Sequence, residues 1–179
     1  MGSSGAMDRL WAGWRSTYVA AAGDGGVMPG EPGGSGSLFT RILKSGLPDE
    51  QTYIVWRGEL NFAILNAFPY TTGHMLVMPY REVGELEELT DDETVELWSA
   101  VRDAVVALRA AYKPQGVNVG ANLGEAAGAG IPSHLHLHVL PRWNADSNFM
   151  TSVAEVRVLP EALGDTWRKL RAAWPSSAD

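Results

Sequence analysis

Three imidazoles within five positions are the densest chemistry in this 179-residue chain. His134, His136 and His138 alternate with Leu135 and Leu137, and His74 is the one other histidine. Val139 and Leu140 follow, so the segment carries the period-two pattern of a half-buried strand. Successive side chains on a strand point to opposite faces. Leu135, Leu137 and Val139 therefore share the core face, while the imidazoles line up on the other at spacings of roughly 6.5–7 Å. Imidazole titrates near neutral pH and can act as nucleophile, proton shuttle or metal ligand. A solvated surface row is the plainest alternative. A zinc site built on His-x-His is another, although no Asp or Glu partner stands nearby.

The segment Gly124–Ser133 (GEAAGAGIPS) runs straight into this row. Gly-rich backbone lets N–H groups approach an anion without side-chain obstruction, though such a loop can equally be a tight connection. Arg142, beyond the strand, offers a charge-assisted contact to phosphate, where a surface arginine is otherwise commonplace. A nucleophilic imidazole beside an anion cradle suggests attack on phosphorus through a phosphohistidine-type intermediate. One flanking histidine would then orient the nucleophile through its other ring nitrogen. Another would neutralise or protonate the leaving oxygen.

These residues need a scaffold, and the pattern supplies one. Tyr53–Arg57 and Asn61–Asn66 read as strands joined by a Gly58-Glu59-Leu60 hairpin connection. After a loop containing Pro69, Gly73–Pro79 reads as a third strand with His74 at its start, a histidine as readily structural as catalytic. Thr90-Asp91-Asp92-Glu93 has the capping-box pattern. From there Val95, Leu97, Trp98, Val101, Val105, Leu108 and Ala111 recur at helical steps as far as Tyr112, ahead of Pro114. Gly116–Leu123 alternates as a strand beside the histidine strand, which Pro141-Arg142-Trp143 closes, with a polar loop at 144–149. Ser37–Ser45 reads as a short helix and Glu161–Trp174 as a terminal amphipathic one. Trp11, Trp14 and Tyr18 place an aromatic stripe on a helix over residues 8–19, and 23–36 is a Gly/Pro-rich loop. The expectation is an α+β domain on an antiparallel sheet with one long helix and a C-terminal helix. Residues 1–6 (MGSSGA) read as a cloning scar, 7–36 as an N-terminal helix and loop, and 37–179 as the domain proper.

Composition narrows the partners. The net charge is −7 and no basic cluster occurs, which argues against a nucleic-acid polymer while leaving a small nucleotide open. With no cysteine there is no disulfide framework, thiolate metal site or cysteine nucleophile. The apolar runs are too short to span a membrane, and no secretory signal is visible, so the expected location is cytoplasmic.

At this point the chain resembles the histidine triad proteins. Their hallmark, His-φ-His-φ-His-φ-φ with φ apolar, is met by His134–Leu140. The stretch Asn61–Pro79 (NFAILNAFPYTTGHMLVMP) is similar to the family's Asn-x-x-Pro segment leading to Gly-His-x-Leu-Val-x-Pro. Ser37–Ile42 resembles the family's N-terminal Cys-x-x-Cys helix, with Ser37 and Thr40 where many members have zinc-binding cysteines, a departure that removes that structural zinc. Leu10–Arg15, Pro141-Arg142-Trp143 and the Asp146-x-Asn148-Phe149 tail look like the bacterial subgroup containing diadenosine tetraphosphate phosphorylases.

The resemblance implies a five-stranded antiparallel sheet, usually paired into a homodimer, and an enzyme cleaving dinucleoside polyphosphates at the α-phosphate. His136 would be the nucleophile, with His134 and His138 orienting it and contacting phosphate oxygens. Asn66 would bind the ribose, and Phe39, Ile42 and Phe62 would form the base slot. Asn122 and the amides of Gly128, Ala129, Gly130 and Ile131 would face the polyphosphate, with Arg142 and Trp143 as further nucleotide contacts. His74 would lie behind the triad in support. No metal or cofactor is needed for the histidine chemistry, though a divalent cation can accompany the polyphosphate. The acceptor is phosphate or water. Ile131 stands where the phosphoramidase branch commonly has serine, which leaves phosphoramidase activity, or nucleotide binding with little turnover, as the alternatives.

Overall fold

The computed structural model of the chain describes residues 35–146 and 161–176. The expected Trp11–Tyr18 helix, most of the Gly/Pro-rich loop and the Asn148-Phe149 tail lie outside the described residues.

In chain order the elements are helices α1 (Leu38–Lys44) and α2 (Asp49–Thr52), then strands β1 (Ile54–Arg57), β2 (Asn61–Leu65) and β3 (Met75–Pro79). Helix α3 (Asp91–Tyr112), strands β4 (Gly116–Ala121) and β5 (Leu137–Arg142), and helix α4 (Leu163–Ala173) complete the set. The strands form one sheet in the order β1-β2-β3-β5-β4, and every neighbouring pair is antiparallel. The α+β expectation of five strands, one long helix and a C-terminal helix holds. The single-turn helix α2 was not legible, since four residues carry too little periodicity to show.

The capping box forms as the sequence dictates. Thr90 Oγ1 accepts the Glu93 N–H at 3.2 Å, and Glu93 returns a carboxylate oxygen to the Thr90 N–H at 2.8 Å. Arg81, just past β3, grips the same carboxylate through Nε and Nη2 at 2.9 and 2.7 Å. With Arg81 beside it and the Thr90 N–H donating to it, the Glu93 carboxyl is held down at about 2. A second carboxylate of α3 anchors the β1–β2 hairpin. Glu96 accepts from Glu59 N, Leu60 N and Asn61 Nδ2 at 2.7, 2.8 and 2.8 Å.

The sheet separates two apolar layers. On one side α3 and α4 set Leu97, Leu108 and Leu170 against Val77, Leu137 and Val139, and each fully buried leucine contributes roughly 1.5–3 kcal/mol. On the other side α1 lays Phe39 over Ile54, Phe62, Ile64, Leu76 and Met78. His138, the histidine of β5, belongs to this second side. His138 is paired with Leu76 and with Gly120, in line with Ile64 and Ile54 across the sheet.

Two details of β5 differ from expectation. The strand begins at Leu137, because the preceding backbone leaves the ladder and Leu135 N–H bonds Val83 O at 2.6 Å. It also continues through Pro141 to Arg142, where the sequence suggested closure. Beyond Val139 its pairing is with β4 alone, and a strand with one neighbour tolerates a missing N–H.

The two sheet edges are finished differently. At β1, Trp167 Nε1 donates to Ile54 O (2.8 Å) and Arg171 Nη1 to Val55 O (3.0 Å), so side chains of α4 occupy that edge. Trp56 stacks on Trp174 beside them, and a cleft of about 320 Å³ lies here, on the helix-bearing side and away from the histidines. At β4 the strand GVNVGA is exposed over most of its length and carries no charge. Among the described residues no helix is long and apolar enough to cross a membrane.

Candidate active site

His138 on β5, with His136 and His134 in the segment leading into it, brings the three imidazoles to one side of the sheet, but that face is not open. His134, His136 and His138 are 0, 8 and 9% exposed. The half-buried strand of the sequence is buried on both sides, since the Phe39 ring packs 5.4 Å from His134 and 5.6 Å from His136. Burial penalises the imidazolium. It pulls the pKa of each of the three below the ordinary histidine value, and that of His138, with His136 also beside it, to about 4. At neutral pH the row is uncharged.

Each ring is then fixed by a definite partner. His136 donates Nδ1–H to the backbone carbonyl of His134 at 2.8 Å. Its remaining nitrogen, Nε2, keeps the lone pair. The orienting group is thus the carbonyl of His134 and not a neighbouring ring. His134 donates Nε2–H to Pro79 O (2.9 Å) and accepts the Ser37 hydroxyl at Nδ1 (2.6 Å).

The third ring is fixed through His74. Tyr70 N–H donates to His74 Nδ1 at 3.1 Å, with Asn66 Nδ2 3.2 Å away, so the His74 proton sits on Nε2. That Nε2–H meets His138 Nδ1 at 2.9 Å. His138 accepts there and carries its own proton on Nε2, on the side of the ring away from His74. The site therefore presents a bare nitrogen on His136 and a donor on His138, whose rings lie 5.1 Å apart. That is the equipment for nucleophilic attack with a proton supplied to the leaving atom.

The other expected residues divide. Phe39 lies against the triad with Ile42 and Ile131 packed at the margin of its cluster. Phe62 is wholly buried and stacked on Tyr80 at 5.2 Å, so its ring offers no surface to a ligand. Asn66 lies beside His74 and also accepts from Phe68 N–H at 2.8 Å. Asn122 Nδ2 donates to Gly128 O (3.2 Å) and so closes the glycine-rich loop on itself. Within that loop Gly128 has φ +91°, a conformation that side chains rarely adopt, while Gly130 is exposed and Ala129 half-buried.

Arg142 does not reach the triad. Its guanidinium holds Asp146 at 2.6 and 2.8 Å and Asn118 at 2.8 Å, four residues or about 13 Å along the strand from His138. Trp143 is half-buried next to it.

At the Ser37–Ile42 segment, likened in sequence to a Cys-x-x-Cys helix, this chain has a hydroxyl network. Ser37 Oγ lies 3.2 Å from Thr40 Oγ1, and Glu82 accepts from the Thr40 hydroxyl (2.7 Å) and from Ser37 N–H (2.8 Å). Neutral hydroxyls, with their protons given to His134 and Glu82, are a poor set of zinc donors, and the residues do not fit the metal. Tyr70 and Glu82 were missed in the sequence, because neither type nor spacing marks them.

Comparison with known proteins agrees with the geometry. A family model described as HIT domain matches residues 48–145. The AP-4-A phosphorylase of Mycobacterium tuberculosis is 41% identical over 177 residues, covering 97% of this chain and 88% of its own length. An asymmetrical bis(5'-nucleosyl)-tetraphosphatase of Schizosaccharomyces pombe is 34% identical over 93 residues, 52% of this chain and 50% of that protein. Among solved structures, a zinc-bound histidine triad family protein from Mycobacterium smegmatis superposes with a TM-score of 0.63 at 28% identity, covering 76% of this chain and 91% of that one.

Proposed function

The chain belongs to the HIT domain family, and on that premise we propose that it cleaves dinucleoside polyphosphates at the α-phosphate through a nucleotidyl-His136 intermediate. The observation that carries this reading is the fixed proton pattern of the triad. His136 Nδ1–H is tied to a backbone carbonyl, so Nε2 attacks phosphorus and the positive charge that develops on the ring is met by that carbonyl. The bond from phosphorus to the leaving polyphosphate oxygen breaks as the N–P bond forms. The leaving oxygen keeps the electron pair and takes a hydrogen bond or proton from His138 Nε2–H. Inorganic phosphate then attacks the intermediate, the N–P bond breaks, and His136 is returned with its lone pair. Diadenosine tetraphosphate would give ATP first and ADP second. Phosphate as acceptor is favoured by the 41% identity to a named phosphorylase spanning most of both chains.

In this reading Asn66 meets the ribose, Phe39 and Ile42 flank the base, and Asn122 with the 128–131 backbone follows the polyphosphate, which brings any divalent cation as part of the substrate. The enzyme acts in the cytoplasm as a homodimer joined along β4, the uncharged exposed edge. Val95, Trp98 and Val106, exposed at helical spacing on α3, supply further apolar surface for that contact.

The test is product analysis with diadenosine tetraphosphate, with and without inorganic phosphate, on wild type and His136→Ala. ADP and ATP only with phosphate supports the phosphorylase. AMP and ATP without phosphate makes water the acceptor. Unchanged turnover by His136→Ala refutes the nucleophile, and no turnover of this substrate or of adenosine phosphoramidate by wild type leaves a nucleotide binder. Light scattering on Val119→Lys checks the dimer, which should fall to monomer.

A further inference from the structure

Tyr70 is 48% exposed and takes no part in the reaction as drawn, yet what it covers is the site's proton donor. Its ring centroid is 4.6 Å from that of His74 and 5.8 Å from that of His138, with a plane only 20° from that of His138. Its backbone N–H is the donor that sets the His74 tautomer. Beneath it His74 is 1% exposed. Neutral imidazole has two tautomers, and which one is present follows from the hydrogen bonds its nitrogens make. Water reaching the His74–His138 pair can donate to one nitrogen and accept from the other, so either arrangement of the pair becomes satisfiable. The Tyr70 ring, stacked on His138 and tilted by 46° against His74, covers the pair against that water.

We propose that Tyr70 is a positioning residue: its backbone N–H and its ring together hold the His74–His138 pair in the arrangement that leaves a proton on His138 Nε2, facing the leaving group. The part of the side chain that lies against both imidazoles is the ring. The catalytic half of this inference rests on the nucleotidyl-transfer reading; the tautomer half does not.

The experiment is ¹⁵N–¹H correlation spectroscopy of the ligand-free full chain with ¹⁵N-labelled histidine, comparing wild type, Tyr70→Phe and Tyr70→Ala. Wild type and Tyr70→Phe should show His74 and His138 each as a single Nε2–H tautomer, with the His74 Nε2–H proton observable. In Tyr70→Ala the two tautomers should mix and that proton should be lost to exchange with water. Wild-type spectra retained in Tyr70→Ala overturn the proposal. If Tyr70→Ala fails to fold, Tyr70→Leu, apolar but not flat, is read the same way. With diadenosine polyphosphate and with substrates of more basic leaving groups, Tyr70→Ala should lose kcat by about tenfold or more, within the span of general-acid effects. KM should stay within about twofold, and the loss should grow with leaving-group basicity. An equal loss for every leaving group overturns the catalytic half. Absence of turnover in wild type refutes the transfer reading alone, and the spectra then decide Tyr70 by themselves.

Discussion

Replacing Ser37 by alanine removes one hydroxyl that holds two structures together. As the N-cap of α1 it accepts Thr40 N–H at 3.2 Å, and as a donor it satisfies Nδ1 of the fully buried His134 at 2.6 Å. Loss of a serine cap costs about 1 kcal/mol. Leaving a buried acceptor without a partner costs about 1–3 kcal/mol. The two add to about 2–4 kcal/mol. At about 2–4 °C per kcal/mol for a domain of this size, the Tm should fall by roughly 10 °C. Urea unfolding is the better measurement, since a shift of midpoint at constant slope reports stability alone. Ser37→Thr keeps the hydroxyl and should recover most of the loss. A Ser37→Ala protein within about 0.5 kcal/mol of wild type would refute the reasoning, because surface changes of no structural consequence fall in that range.

Acid should weaken the fold in two stages. The triad histidines titrate below their unfolded value, so the unfolded chain binds more protons as pH falls from about 6.5, and for His138 the loss runs down to about 4. Glu93, held at about 2, continues it from the ordinary carboxylate range downward. Tm measured against pH should therefore rise from pH 3 to 7, and a flat profile between 4 and 6.5 would contradict the burial argument. Ser37→Cys with Thr40→Cys should create a zinc site using His134 Nδ1. Zinc at a hundredfold excess over Kd would then stabilise by about 2.7 kcal/mol, a Tm shift that chelator should reverse and wild type should lack. Glu96→Ala strips the acceptor from two hairpin amides and from the buried Asn61 side chain. It should cost about 2–3 kcal/mol in urea unfolding, and a neutral result would mean that the hairpin does not depend on α3.

How much was legible follows from what kind of contact each feature needs. The α3 cap is local, set by residues three apart, and forms as written. Of the expected stripe Leu97, Val101 and Leu108 are buried, whereas Val95 and Trp98 lie exposed because the small Ala100, Ala104 and Ala107 complete the packed face in their place. The alternation from His134 to Val139 fixed which side chains share a face, but not what covers it. That depends on Phe39, about a hundred positions away. The same alternation hid the true start of β5, because Leu135 satisfies its N–H with Val83 in place of a ladder partner. Arg142 looked like a phosphate ligand by type, and its commitment to Asp146 and Asn118 needed coordinates. Ser37 and Tyr70 act on histidines 97 and 4 residues away, and nothing in their types separates them from ordinary cap and loop residues.

The unequal finish of the sheet edges sets a stopping rule for assembly. A strand edge is a template that accepts another strand, and unless it is closed, addition repeats without limit. Here the β1 carbonyls of Ile54 and Val55 are already taken by Trp167 and Arg171, which among the described residues leaves β4 as the open template. Two copies joined antiparallel along β4 would consume both templates at once and leave only plugged β1 edges at the outer ends. Growth would terminate at two. In such a pair the α4 side chains would act at a distance from the interface as terminators, and removing Trp167 and Arg171 together should change the ceiling on copy number, turning a closed pair into the seed of a ribbon.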